Sequence, residues 1–230
     1  MDVRKGKFRR ETLCELADWK DARFKSARNE LNKRRREEFG SAAGDIERLH
    51  AEDEQLAERV DRPGWGTFGF FDALALMVMD DFAGREPEEG ERNSLTRKSA
   101  KRDGVSLWTA YRIFRNNAGV LSEYWSKIVE GKTDVFIGHV WLGPPDGSAG
   151  GYNVGGTLLD VAAKIARGHW AGRDPKTKKI IFEPDDNLNG VVLVNVTYTF
   201  KRLLENARKV GIEVPSDFLV TPPSTMDLGF

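Results

Sequence analysis

The spacing of apolar residues changes near residue 132, and this change confines the chain to a mixed α+β architecture. Upstream, apolar side chains recur at intervals of three and four, the spacing of one helix face. Downstream, "DVFIGHVWLG" (134–143), "KKIIFEP" and "GVVLVNVTY" are rich in β-branched and aromatic residues and read as strands. The expected organisation is a mostly helical region over 1–131, then a small α+β domain with a C-terminal tail over 132–230. The 230 residues suffice for one or two domains with a real core. No internal repeat is evident.

In the helical part, Thr12 and Glu15 form a capping-box pair for a helix over 12–18 that buries Leu13, Leu16 and Ala17. Asp21 is placed to cap a second helix through about 35, with Phe24, Ala27, Arg28 and Leu31 along one side. A third helix over 42–60 carries Ile46, Leu49, Leu56 and Val60, a two-heptad seam that must pack on the body or on a second copy. "RPGWG" (62–66) stops it. Trp65, Phe68, Phe70 and Phe71 follow, and "DALALMVMDDFAG" then forms a strongly apolar helix. A polar loop over 84–94 precedes helical periodicity from about 95 to 131, with a break near Gly104. In the second part, "PPDGSAGGYNVGG" reads as a loop and "TLLDVAAKIARG" as an amphipathic helix. "TFKRLLENARKVG" reads as a closing helix, and the residues after Pro215 as an extended arm.

Charge names no partner for the whole chain, since 36 Lys and Arg balance 36 Asp and Glu. Locally, residues 1–40 hold 13 basic against 8 acidic residues, a net of +5, whereas "DDFAGREPEEGE" (80–91) is acidic. A basic end is compatible with nucleic acid. Cys14, the single cysteine, excludes an intramolecular disulfide and a cysteine zinc site; between Leu13 and Leu16 it reads as a buried packing thiol. No run approaches the roughly 18 apolar residues of a membrane span. "MDVRKGKFRRE" lacks the apolar core of a secretory signal, so a cytoplasmic protein is expected.

Two segments have the spacing of a helix-turn-helix, 12–35 and 95–117. The second has Ala100, Gly104, Val105, Ser106, Thr109 and Tyr111 at the usual offsets. Against it, Trp108, Ile113 and Phe114 need more burial than a groove-reading helix offers, and "REPEEGERNS" would repel phosphates. The larger arrangement resembles winged helix-turn-helix regulators of the MerR type. "ETLCELADWKDARFKSARNEL" resembles that family's helix-turn-helix, and "RPGWGTFGFFDALALMVMDDF" its wing entering the next helix. Phe68 stands at the wing aromatic, with Asp72, Leu76, Met79 and Phe82 behind it, and "GVSL" (104–107) matches the glycine-containing turn before a fourth helix. The resemblance covers roughly half the chain. It departs at Lys25-Ser26, where the family has an Arg-Tyr pair, at Gly66, where an arginine is usual, and in two insertions over 34–61 and 84–103.

The resemblance implies a winged helix-turn-helix within the α+β chain and sequence-specific binding of double-stranded DNA by a transcriptional regulator. The groove helix would then be about 22–33. Its candidate DNA contacts are Lys20, Arg23, Lys25, Arg28, Asn29, Asn32 and Lys33, with Arg62 at the wing entrance. Arg pairs bidentately with guanine, Asn with adenine, and Lys neutralises phosphate. The same residues would serve equally as the solvated face of an ordinary helix, and Arg34-Arg35-Arg36 as a helix-end charge cluster.

An enzyme is not expected. His50, His139 and His169 fit no metal spacing: His50 reads as surface, His139 as a half-buried strand residue, and His169, with Trp170, as a helix end. "GSAGGYNVGGT" has neither the Gly-Lys-Ser/Thr ending nor the spacing of a phosphate loop, and Asp185-Asp186 reads as a polar turn. No cofactor or metal is expected. A homodimer is, because paired half-sites supply the discrimination that one helix lacks. Its candidate contacts are the 46–60 seam and the face of Leu121, Tyr124, Trp125 and Ile128. The rival reading is a protein-interaction or adaptor module, of the kind a mobile element carries, for which Trp65, Trp108, Trp125, Trp141 and Trp170 are numerous enough to furnish both a core and an interface.

Overall fold

The computed structural model describes residues 8–39, 68–84, 105–142, 151–173, 177, 180–183 and 188–222. Five helices come first: α1 (Arg10–Ala17), α2 (Asp21–Phe39), α3 (Phe70–Ala83), α4 (Leu107–Asn116) and α5 (Ala118–Glu130). Strands β1 (Val135–Leu142) and β2 (Gly151–Thr157) follow, then α6 (Leu158–Arg167), β3 (His169–Arg173), β4 (Ile180–Glu183) and β5 (Leu188–Asn195). Helices α7 (Val196–Lys209) and α8 (Ser216–Val220) close the chain. The expected third helix over 42–60, the 84–94 loop beyond Gly84 and the first half of the 95–117 unit lie outside the described residues.

Helix α3 is the hub. Apolar on nearly every side, it cannot sit on a surface, and 11 of its 14 residues are buried. Helices α1, α4 and α7 and strand β5 all pack against it. Helix α4 begins where Ser106 accepts the Thr109 N–H at 3.1 Å. The helical stretch to 130 breaks at Asn117, whose amide donates to the Ile113 carbonyl at 2.8 Å.

The sheet is antiparallel with order β2-β1-β5, and β3 and β4 form a separate hairpin. Alternation along β1 divides its side chains. Val135 and Ile137 join the helical core, while Val140 meets Val154 and Val161 beneath α6. Four expectations need correction here. Residues 151–156, read as part of a loop, belong to β2, which runs on through Thr157, read as the start of the following helix. The glycines that suggested a turn are needed for close approach: a Cβ on Gly155 would lie 2.8 Å from Val120 Cγ1 and 3.1 Å from Asn117 Oδ1. His169 and Trp170 open a strand instead of ending a helix, because α6 stops at Gly168, whose φ of 85° suits glycine. "VTY" belongs to α7, not to the strand before it, because the Asn195 side chain accepts the Tyr198 N–H at 3.0 Å and starts the helix there. The arm expected after Pro215 folds as α8, whose Phe218 ring lies 4.8 Å from Phe71, 5.0 Å from Phe70 and 5.6 Å from Trp125.

One buried cluster spans residue 131, joining Leu13, Phe24, Met77 and Trp125 to Ile137, Phe200, Leu203 and Phe218. Polar ties follow the same path. Asn206 donates to the Leu16 carbonyl at 2.9 Å, and Asp81 accepts Thr199 Oγ1 at 2.6 Å and Arg202 Nη1 at 2.8 Å. Leu121, Trp125 and Ile128, expected on a dimer face, are buried in this core, and Tyr124 is half-buried with its hydroxyl on Asp160 at 2.9 Å. The periodicity that suggested an interface is the signature of packing within one chain. The result is a mixed α+β fold with a helical region and a small three-stranded sheet. Among the described residues no helix is long and apolar enough to cross a membrane.

Candidate nucleic-acid interface

The chain enters α1 through Phe8, which exchanges main-chain hydrogen bonds with Phe68 at 2.6 and 2.9 Å. Both rings are buried, Phe8 edge-on to Phe70 at 4.8 Å and Phe68 edge-on to Phe24 at 5.7 Å. This anchor starts α1 at Arg10, with Arg9 as its N-cap and no side-chain cap. The expected Thr12–Glu15 capping box therefore does not form, since both residues fall inside the helix. Leu13, Cys14, Leu16 and Ala17 are buried as expected, and burial pushes the Cys14 thiol up to about 11.

At its end α1 closes in a Schellman arrangement. Asp18 takes the left-handed conformation (φ 57°), its N–H bonds the Glu15 carbonyl, and the Trp19 N–H reaches the Cys14 carbonyl at 2.8 Å. An aspartate tolerates this backbone better than most residues. Trp19 is buried, so the three residues 18–20 make a tight, packed turn into α2.

Asp21 is the first residue of α2 rather than its cap. Its carboxylate lies 2.9 Å from Lys25 Nζ and 2.6 Å from Arg10 Nε. The hydrogen bond from Lys25, foremost, holds it below the usual carboxylate range. Phe24, Ala27 and Leu31 are buried. Arg23 does not face outward. Its guanidinium bonds Asp80, a carboxylate only 7% exposed, and lies 4.5 Å over the Trp19 ring. That corrects its candidacy as a base reader, because its guanidinium is already engaged by Asp80 and Trp19 and would have to give up both contacts to reach DNA. The sequence reading missed Asp80, although the acid pair 80–81 ending an apolar helix was its one local signal.

Opposite the buried row, Ala22, Lys25, Ser26, Asn29 and Lys33 are all exposed. At about 100° per residue they fall within an arc of roughly 100°. The small residues Ala22 and Ser26 keep this arc shallow between the longer polar ones. Lys20 is exposed at its entrance, Arg28 is half-buried at one flank, and Glu30 and Glu37 lie along the other border. Lys25 is shared with Asp21, and Lys33 stands 3.9 Å from Glu37; both pairs are solvent-exposed and weak. Asn32 is on α2, but its side chain is outside the described residues, as is Arg62 entirely.

The rival unit is poorer. Helix α4 turns Ala110, Tyr111, Ile113 and Phe114 into the core, leaving Arg112, Arg115 and Asn116 exposed. His139 is half-buried on β1, its Nδ1 3.0 Å from Asn153 Oδ1. The side chain of His169 and all of His50, Asp185 and Asp186 lie outside the described residues. No group of three potential metal ligands occurs among the described residues. Comparison of the chain with protein-family models, with curated proteins and with solved structures yields no match.

Proposed function

We propose that this protein binds double-stranded DNA through α2, as the groove-entering helix of a winged helix-turn-helix of the kind the MerR-type resemblance implies. The observation that carries the reading is the outward arc of Lys25, Asn29 and Lys33, exposed on a helix whose other side is fixed to the core by Phe24, Ala27 and Leu31. A reading helix needs this combination. Its exposed side chains must project a polar, cationic surface, and its axis must be held rigidly enough for them to keep register with base edges. The Arg23–Asp80 pair and the Trp19 turn serve the second requirement. Lys20, Lys25 and Lys33 then neutralise phosphates, and Asn29 reads a base edge. On this reading the Phe8–Phe68 bridge would anchor the end of the wing, and a role in transcriptional regulation follows from the resemblance.

The experiment is fluorescence anisotropy of a labelled random duplex titrated with the full chain at several salt concentrations. Binding that is strong at low salt and falls steeply as salt rises supports the proposal. A chain with no affinity for duplex at low salt would falsify it.

The protein-interaction reading has one observation in its favour. Leu158 and Leu159 at the start of α6 are 59% and 81% exposed. Of the tryptophans which that reading divides between a core and an interface, Trp125 is in the core. A second copy is required for paired half-sites, and these leucines are exposed where the 121–128 face is not. Leu159→Glu separates the roles: loss of self-association with half-site binding retained assigns the patch to dimerisation.

A further inference from the structure

Helix α6 is apolar on the side that faces water. Its inner side meets the sheet through Val161, buried with Val140 and Val154, and through half-buried Ile165. A surface helix packed in this way turns charged and polar residues outward. Here Leu159, Ala162, Ala163 and Ala166 take the outward direction, and all four are exposed. At about 100° per residue they fall within an arc of roughly 100°, away from Val161. Leu159 is 81% exposed, more than any other large apolar side chain among the described residues, and Leu158 beside it is 59% exposed. Exposed alanines are good helix formers and ask for no partner. Two solvated leucines at the head of the same face do.

The leucines are also held in place. Thr157 Oγ1 accepts the Asp160 N–H at 3.3 Å, and Asp160 Oδ2 accepts the Thr157 N–H at 2.8 Å and the Tyr124 hydroxyl at 2.9 Å. This cap fixes where α6 begins and ties its first turn to α5. A partner therefore meets a preorganised surface and loses little to ordering it.

The face is complementary to itself. It carries a projecting side chain, Leu159, at one end and a shallow run, Ala162, Ala163 and Ala166, towards the other. A two-fold axis passing between Ala162 and Ala163 lays Leu159 of each copy over Ala166 of the other, so knob and hollow meet twice. Charge follows the same symmetry. Asp160 lies in the first turn of α6, and Lys164, which also donates to the Gly155 carbonyl at 3.0 Å, lies with Arg167 in the last. All three border one flank of the apolar arc. Turned about that axis, the acidic start of each helix faces the basic end of the other, and the helix dipoles oppose. A parallel pairing would instead set leucine on leucine and cation on cation. We propose that α6 pairs antiparallel with α6 of a second copy, and that this contact makes the protein a homodimer. The pairing depends on the leucine patch being the dimer contact, and not on duplex binding by α2.

The test uses the full chain. Analytical ultracentrifugation over a range of concentrations should show a monomer–dimer equilibrium, and Leu159→Glu should raise its dissociation constant about tenfold or more. Cross-linking reads the orientation. Mild oxidation of an equimolar mixture of Leu159→Cys and Ala166→Cys chains should give mainly the mixed disulfide, whereas Ala163→Cys should join to its own copy. The native chain, whose single thiol Cys14 is buried, should not cross-link. Thermal melting of each variant checks that the fold persists. A dimer that Leu159→Glu dissolves, but whose cysteines do not follow this pattern, overturns the antiparallel pairing and leaves the patch as the contact. A native chain that stays monomeric throughout, or a folded Leu159→Glu chain that dimerises as well as the native one, overturns both. Half-site duplex affinity of the Leu159→Glu chain scores the role of α2 separately.

Discussion

Arg23 and Lys25 are two positions apart on one helix, are both cationic, and have opposite duties. Arg23 is held by Asp80 and stacked on Trp19, whereas Lys25 is shared only with an exposed Asp21. Arg23→Ala removes the guanidinium that bonds the buried Asp80 carboxylate and should cost about 1.5–3 kcal/mol in urea unfolding. Lys25→Ala should change stability by less than about 0.5 kcal/mol and act on DNA affinity instead. Local spacing placed both on the polar side of α2, because nothing within a few residues of Arg23 announces a partner 57 positions away. The burial of Cys14, by contrast, was legible from Leu13 and Leu16 beside it. With its thiol raised from 9.0 to about 11, the folded state binds this proton more tightly than the unfolded chain. Cys14 therefore stabilises the fold fully below about pH 9, and that contribution is lost as pH rises to about 11. Reaction with a thiol reagent at pH 8 should accordingly be slow in the native protein and fast in denaturant.

Elements were legible where their periodicity was uninterrupted, as in α2, α3, β1 and α6. They were hidden where residues chosen for packing imitate turn residues. Strand β2 reads as a glycine loop because Gly155 must admit Val120 and Asn117. The amino terminus of α6 shows how local chemistry sets a boundary. Thr157 accepts the Asp160 N–H, and Asp160 in turn accepts from Thr157 and Tyr124. The hydrogen bonds from Thr157, then that from Tyr124, hold the Asp160 carboxyl below its usual range. The cap is thus intact above ordinary carboxylate pH and weakens as acid titrates through that lowered value. Thr157→Ala should cost about 1 kcal/mol. Helix α8 is too short to persist alone, and Phe218 in its ring of Phe70, Phe71 and Trp125 is what holds it. Phe218→Ala should cost about 3–5 kcal/mol in a chemical denaturation experiment and free the chain after Pro215 for proteolysis.

At the scale of the whole molecule, the change of periodicity near 132 marks where strands begin, while the buried cluster runs through it from Leu13 to Phe218. Helix α7 lies against α1 and α3, and Asp80 and Asp81 tie both α2 and α7 to the end of α3. Circular dichroism and tryptophan fluorescence should therefore report one coincident unfolding transition, and a fragment ending at 131 should lack a cooperative one. The α+β class was readable from pattern alone; that the two parts share a core was not, because periodicity describes each element and not what it meets. Duplex binding through the outward arc of α2 is tested most directly by its salt dependence. Comparison of the native chain with the Lys25→Ala, Asn29→Ala, Lys33→Ala variant should show weaker binding and a slope of log affinity against log salt reduced by about 2, one for each lysine removed. An unchanged affinity and slope in a folded variant would contradict it.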